Sequence, residues 1–401
     1  MGSIQSLTSA RDYEAIAREL AAGFRVGAAA RDRDRVPPLA ELERIKASGL
    51  LAARVPAAYG GAEIDLPKFA RILVILAQAD PNIAQAVAPQ FANLEKLRIY
   101  GTHEQKLHYF GLALDGVLMG NAAAEQGGNF IGDVTTTLYR AGSEWRLKGR
   151  KYYSTGSIYS ELILVTAAHE QGGRAAVFVP RNREGVSVLD DWDGMGQRTT
   201  ASGTTIYDDV LVHEHEVLRI PAFGQRRTHE GAFAQLMHSA IDAGIALAAL
   251  ADAGAYGREQ ARVLRESGVS SATQDPYVLH TIGEMAIAAH GAEALLGRGA
   301  ALLEQALAAS LAGDADANRL LGEASIAVAE AKYATTEASI RVSEMLFRIG
   351  GASATSRGLN LDRHWRNART HTTHDPVSYK ARAVGCLLYT SPSPRDRQKY
   401  R

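Results

Sequence analysis

Cysteine is all but missing from this chain. Cys386 stands alone among 401 residues, which excludes an internal disulfide framework and a cysteine-rich metal centre. An excess of either charge is missing too, since 44 Lys and Arg balance 44 Asp and Glu. That balance gives no electrostatic footprint for nucleic acid and no polybasic patch for a membrane. The opening MGSIQSLTSARDYEAIAREL has no basic segment followed by an apolar run, so no signal peptide is expected. The most apolar stretch, AIDAGIALAALADAGA at 240–255, is short for a bilayer and carries Asp242 and Asp252. The expectation is a cytoplasmic protein with no nucleic-acid or membrane partner.

Familiar catalytic fingerprints are absent as well. The chain has no GxxxxGK[ST] phosphate cradle, no GxGxxG between strand and helix, no GxSxG elbow and no HExxH. His213 and His215 in VHEHEV stand two apart and read as a solvated strand end.

What is present is an ordinary globular composition, 46% hydrophobic, in a chain too long for one core. Apolar residues recur at helical spacing in ARDYEAIARELAAGF, LAELERIKASGLLAARV and the run from 65 to 101. Asp80-Pro81 breaks that last run and predicts a new helix with Pro at its first position. From 114 the texture turns to short β-type runs: DVTTTLYR, EWRLKG, ELILVTA, AAVFVP, GVSVL and GTTIYDDVLV. Turn residues punctuate them as in an antiparallel sandwich or barrel. From 225 three long alanine-rich helical patterns follow, at 233–266, 276–313 and 318–350, as in a bundle. The division expected is a helical domain at 1–113, a β domain at 114–224 and a helical bundle at 225–385. Residues 386–401 begin CLLYTSPSPRD, which matches one reading frame of a transposon-end sequencing adapter. They are expected to be a non-native, adapter-derived tail.

One stretch near the end concentrates chemistry. RTHTTHDP at 369–376 holds His371 and His374 three apart, followed by Asp375-Pro376. The pattern is open to a metal site, a proton relay or a polar turn. A catalytic metal would need a third ligand, and Asp375 before Pro reads instead as the N-cap of a final helix. THTTH then reads as a loop. Histidine suits proton transfer because its ordinary pKa lies near neutrality.

Taken together, GLLAARVPAAYGG, MGNAAAEQGGN, GRKYYSTGS, SATQDPY and above all LDRHWRNARTHTTHDPVSYK resemble the acyl-CoA dehydrogenase superfamily. Within it the chain is most similar to the flavin-dependent monooxygenase branch of dibenzothiophene monooxygenases and sulfur-acquisition oxidoreductases. The resemblance implies a mainly α fold with a central β domain: N-terminal helices, a middle β-barrel or sandwich and a C-terminal four-helix bundle. It also implies a homotetramer with flavin between the β domain and the bundle.

Two departures from the dehydrogenases bear on the chemistry. Where they keep a catalytic glutamate in RDAxxxxIYEGT, this chain has RNARTHTTHDPV; Arg366 and Ala368 match, and Asp375 falls at the glutamate's place. FRIGGASAT keeps Gly350 and Gly351, but Phe347 replaces a glutamine near the adenosine and no Gly-Tyr follows, which favours FMN over FAD. The resemblance assigns Thr155, Ser154 and Asn121 to the flavin ring, and Arg258, Arg262, Gly350 and Gly351 to its remaining contacts, within one chain or across a subunit interface. Arg258 and Arg262 are expected on one face of a helix. Trp365, Tyr152 and Tyr153 would wall the substrate pocket, and no metal is expected. The activity implied is oxygenation of a small organosulfur or aromatic compound by reduced FMN and O2 through a C4a-hydroperoxide. His374 would donate the proton and His371 orient it, with Thr155 and Asn121 beside the reacting ring. Reduced FMN would come from a separate NAD(P)H flavin reductase. The alternatives are an acyl-CoA dehydrogenase-like FAD oxidoreductase and an inactive flavin-binding homologue.

Overall fold

Helical periodicity in the first part of the chain becomes six α-helices among the described residues. α1 (Tyr13–Arg25) is capped by the Asp12 carboxylate, which accepts from the N–H groups of Glu14 and Ala15. α2 (Ala28–Asp34) and α3 (Leu39–Ser48) follow, α3 ending at Gly49 in the left-handed conformation. α4 (Leu66–Ala79) and α5 (Pro81–Tyr100) meet at Asp80, whose side chain caps α5 through the N–H of Asn82 at 3.0 Å. Pro81 takes the first position of α5, as the sequence predicts. α6 (His103–Leu114) opens on a capping box between Thr102 and Gln105. The computed structural model describes residues 11–127, 129, 130, 132–221 and 227–390.

Among the described residues eight strands build the middle of the molecule: β1 (Met119–Ala122), β2 (Thr137–Ala141), β3 (Glu144–Lys151), β4 (Leu162–His169), β5 (Arg174–Pro180), β6 (Val186–Val188), β7 (Thr205–Val212) and β8 (Val217–Ile220). They form one sheet in the order β6-β7-β3-β2-β4-β5-β8, with β1 added on β4. The pairing is mixed: β1 and β2 both run parallel to β4, a departure from antiparallel pairing throughout. Leu138, Trp145, Leu147, Val165, Val177 and Val210 bury one apolar layer of the sheet. β1 and β8 are four residues each and carry no run of β-branched residues, so periodicity does not announce them. His213 and His215 follow β7 with their rings parallel and 5.6 Å apart.

The last part is a bundle of α7 (Glu230–Glu259), α8 (Pro276–Ala312) and α9 (Ala317–Gly350), flanked by α10 (Arg363–Thr372) and α11 (Ser378–Thr390). α7 is long and apolar enough to cross a membrane, but most of its apolar window is buried inside the bundle. Its small residues admit a close neighbour: a Cβ at Gly244 would stand 2.5 Å from the Ala77 side chain on α4. α7 ends seven residues before its pattern does, because Gln260 and Ala261 both donate their N–H to the Tyr256 carbonyl and close the helix. Arg262 therefore lies beyond α7 and does not share a helix face with Arg258. The tail expected at 386–401 begins inside α11, and residues 391–401 lie outside the described residues.

Candidate active site

Between β3 and β4 the chain makes a turn through Tyr152, Tyr153, Ser154, Thr155 and Gly156. Tyr153 holds φ at 54° and leaves its ring 54% exposed, while Thr155 is buried. A loop from residues 192 to 204 pins the turn. The N–H of Ser154 donates to the Gly203 carbonyl at 3.0 Å and that of Gly156 to the Thr200 carbonyl at 3.1 Å. Thr155 Oγ1 lies 2.8 Å from Ser202 Oγ, which lies 2.8 Å from Thr200 Oγ1, which donates to the Gln197 carbonyl at 2.9 Å. Each hydroxyl has one proton. Filling all the bonds forces one direction: Thr155 donates to Ser202, Ser202 to Thr200, and Thr200 to the carbonyl. Thr155 is thereby left as an acceptor toward its remaining side. Asn121, half-buried on β1, donates its N–H to the Thr155 carbonyl at 3.4 Å, and Ser154 Oγ pairs with Thr205 Oγ1 at 3.0 Å.

Helix α5 joins this turn to the histidines. A Cβ on Gly156 would stand 2.4 Å from the Ala86 carbonyl oxygen. The preceding residue, Gln85, places its amide 3.2 Å from His371 Nε2. His371 is buried on the last turn of α10, so THTTH, expected as a loop, is helical through Thr372 and leaves the helix only at Thr373 and His374. The helix persists because it is anchored to the 192–204 loop. Asn367 Oδ1 accepts from the Gln197 N–H at 2.6 Å, and Thr370 Oγ1 accepts from the Gly196 N–H at 3.0 Å.

Three side chains that the motifs do not reveal surround His371. Its Nδ1 is 2.6 Å from Asp242 Oδ1 and its Nε2 is 3.1 Å from His238 Nδ1, both on α7. Asp242 pairs in turn with Lys332 of α9 at 2.7 Å. Burial lowers the pKa of His371 against the pull of Asp242, and lowers that of His238 further, with His374 adding to the effect. Burial alone would raise the Asp242 carboxyl, but Lys332 and His371 outweigh it and hold it below its usual range. His374 follows α10, half-exposed, its ring 4.1 Å from that of His238. Asp375 does not cap the final helix, which begins at Ser378. Its carboxylate accepts from Gln235 Nε2 and lies 3.6 Å from His374 Nδ1, and the neighbouring His374 imidazole is the chief cause that holds it well below the usual range. An amide donor in a partly buried site satisfies it better than a solvated N-cap would.

Several buried polar atoms around these groups have no hydrogen-bond partner among the described residues: both ends of the Gln197 amide, Thr199 Oγ1 and Gln235 Oε1. Gln197 also holds φ at 52°. Buried orphans of this kind call for an explanation, and a polar ligand is one.

The pocket-wall residues separate. Trp365 is half-buried on α10, Tyr152 lies under the Arg150 guanidinium at 5.1 Å, and Tyr153 meets Trp192 edge-on at 6.1 Å rather than Trp365. Arg258 and Arg262 are exposed at the far end of α7. Gly350 closes α9 beside them, where a Cβ would stand 3.0 Å from the Tyr256 ring, and Gly351 follows at φ 53°. From His238 to Arg258 the helix rises about 30 Å. One chain therefore brings Thr155, Ser154 and Asn121 toward the histidines and keeps the arginines and glycines away from them.

Comparison with known proteins bears on the family and the fold. The chain matches the models of the acyl-CoA dehydrogenase N-terminal domain over 11–116, middle domain over 121–210 and C-terminal domain over 236–379. It is 34% identical over 387 residues to a dibenzothiophene monooxygenase of Rhodococcus qingshengii, covering 93% of this chain and 92% of that protein. The FMN-bound crystal structure of TdsC from Paenibacillus sp. A11-2 superposes with a TM-score of 0.87 at 30% identity, covering 96% of this chain and 98% of that one. The methanesulfinate monooxygenase MsuC from Pseudomonas fluorescens gives 0.87 at 31% identity, with the same coverage of 96% and 98%.

Proposed function

This chain belongs to the acyl-CoA dehydrogenase family, and from that premise we propose that it is an FMN-dependent monooxygenase of small organosulfur or aromatic compounds. The observation that carries the reading is the histidine cluster of His238, His371 and His374. Dehydrogenation next to a thioester needs a carboxylate base turned toward the substrate. The two carboxylates at this cluster are engaged: Asp242 by Lys332 and His371, Asp375 by Gln235 and His374. Both are also held below their ordinary range, which makes them poor bases. The sequence relationships agree, since the relatives just described are named as monooxygenases and one structure is described as FMN-bound.

The residues present fit FMN. Thr155 offers an acceptor, and the orphaned Gln197 amide offers a donor and an acceptor within the same loop system. Thr155, Ser154 and Asn121 would hold the ring. Reduced FMN, when bound, supplies the activation of O2. His374 holds the proton delivered to the oxygen that is transferred, and His371 behind it fixes the geometry of the cluster. Trp365 from α10 and Tyr152 and Tyr153 from the turn that carries Thr155 stand apart in one chain, so they would shield the reacting atoms from water only from separate sides and with FMN and substrate in place; water otherwise diverts the reaction to peroxide. Arg258, Arg262, Gly350 and Gly351 would serve the flavin of a neighbouring subunit in a homotetramer, because the length of α7 keeps them from their own chain's histidines. A separate NAD(P)H flavin reductase delivers the reduced cofactor, and the cytoplasm is the compartment.

The test supplies the purified protein with FMN, a flavin reductase, NADH and 18O2, and screens sulfinates, thiophenes and indoles by mass spectrometry. Labelled product is expected. In His374→Ala, product per NADH falls about tenfold or more while hydrogen peroxide rises. Unlabelled products together with acyl-CoA-driven dye reduction would reverse the assignment to dehydrogenation.

A further inference from the structure

Behind the histidines lies a buried ion pair that the reaction as described does not use. Lys332 on α9 and Asp242 on α7 are both fully buried, with Nζ 2.7 Å from Oδ2. Thr336 donates to the same oxygen at 3.3 Å. A buried ion pair is a poor stabiliser, and apolar side chains of like volume would often serve the fold as well. What the pair gives instead is direction. An ionised carboxylate only accepts, so the 2.6 Å contact between Asp242 Oδ1 and His371 Nδ1 puts the imidazole proton on Nδ1. Burial keeps His371 neutral, so its Nε2 is bare. His238 Nδ1, 3.1 Å away, must then be the donor. Gln85 stands with Oε1 3.2 Å from the same Nε2, and the assignment requires the amide to be flipped so that its NH2 end donates there. His238 is neutral in turn, kept so chiefly by burial, with the charges of Lys332 and Lys380 adding to the effect. Its ring lies against that of His374 at 4.1 Å and 35°, a contact that two imidazolium rings would oppose.

We propose that Lys332 and Asp242 are positioning residues that fix the tautomers of His371 and His238, and so leave His374 as the one histidine of the cluster with a proton to deliver. The inference deepens the monooxygenase reading and rests on it only for the last link, the delivery of that proton. The arrangement follows the principle that a carboxylate behind an imidazole sets which nitrogen is free.

The first test is independent of turnover. In apoprotein labelled with 15N-histidine, with resonances assigned by His238→Asn and His371→Asn variants, both residues show a protonated Nδ1 and a bare Nε2 at pH 7.5. In Asp242→Asn, Lys332 claims the amide oxygen, the NH2 turns to His371, and its proton moves to Nε2. The second test uses Asp242→Leu/Lys332→Met, which removes both charges while keeping an apolar core. Its melting temperature and FMN affinity stay close to those of the parent, whereas product per reduced FMN falls about tenfold or more and peroxide rises. A wild-type His371 that is doubly protonated, or protonated on Nε2, overturns the proposal whatever the activity. Parental coupling in the double variant reduces the pair to a structural role and overturns it equally. Correct tautomers in a protein that oxygenates nothing would refute the delivery step and the monooxygenase reading together, and leave the tautomer assignment standing.

Discussion

At the scale of single residues, the proton count on a few hydroxyls has a measurable consequence. Thr155, Ser202 and Thr200 spend their protons in one direction, ending on the Gln197 carbonyl. Thr155 consequently faces its ligand as an acceptor. With Thr155 at the flavin ring as proposed, the ladder would favour the reduced form, whose ring carries an N–H where the oxidised ring has only a lone pair. Thr200→Val removes the terminal link and frees Ser202 and Thr155 to reorient. We expect the ratio of oxidised to reduced FMN dissociation constants to fall about tenfold, the size of one hydrogen bond. Titrations under anaerobic and aerobic conditions measure it, and an unchanged ratio would refute the ladder's role. Thr155 itself is legible in KYYSTGS, but the ladder is not. Nothing in QRTTASG says that two of its hydroxyls point back at a turn some fifty residues earlier. His238, Asp242 and Lys332 were hidden for the same kind of reason. Lys332 in EAKYATTEA carries no motif, and it is the packing of α9 on α7 that buries it.

At the scale of elements, α5 is the hinge pin of the site. Its Gln85 reaches His371 and its Ala86 carbonyl abuts Gly156, so one helix sets the spacing between the β-side turn and the histidines. Gly156 is required there twice over, by φ of +73° and by the 2.4 Å to the Ala86 oxygen that a Cβ would have. Gly156→Ala is expected to cost about 1–3 kcal/mol, read as a lower urea midpoint at unchanged slope, and to weaken FMN binding. Wild-type stability in that variant would show that the turn can move away from α5. The long helices were the readable part of the fold. α8 and α9 begin and end within a residue of their apolar patterns, and Asp80-Pro81 marks the start of α5. Where tertiary contacts decide, as at α10 held by Asn367 and Thr370 or at the closed end of α7, local pattern misjudged the boundary.

For the whole molecule, buried ionisable groups set how stability responds to acid. Burial pushes His238, His364 and His371 below the ordinary histidine value of 6.5. Unfolded, each takes a proton near that value; folded, it does not. Their share of stability is complete above pH 6.5 and declines below it, by up to about 1.4 kcal/mol per pH unit for each histidine. Glu95 adds a second window. Burial would raise its carboxyl, but Arg54 at 2.5 Å and His229 at 2.9 Å hold it down at about 2. Its share is complete above 4.5 and is lost between there and about 2. The urea midpoint is expected to be level above pH 6.5, to start falling there and to steepen below 4.5. A level midpoint from pH 7 to 5 would contradict the neutral histidines.

The bond between Gln85 and His371 closes a loop of 286 residues. Contacts so distant along the chain form late in folding, after the helices and hairpins that need only local neighbours. A ribosome must finish the bundle before the histidines find the helix made near the start of synthesis. On refolding, helical circular dichroism returns first and catalytic turnover last. Activity therefore reports complete assembly of the chain, and a half-folded molecule releases no partial chemistry.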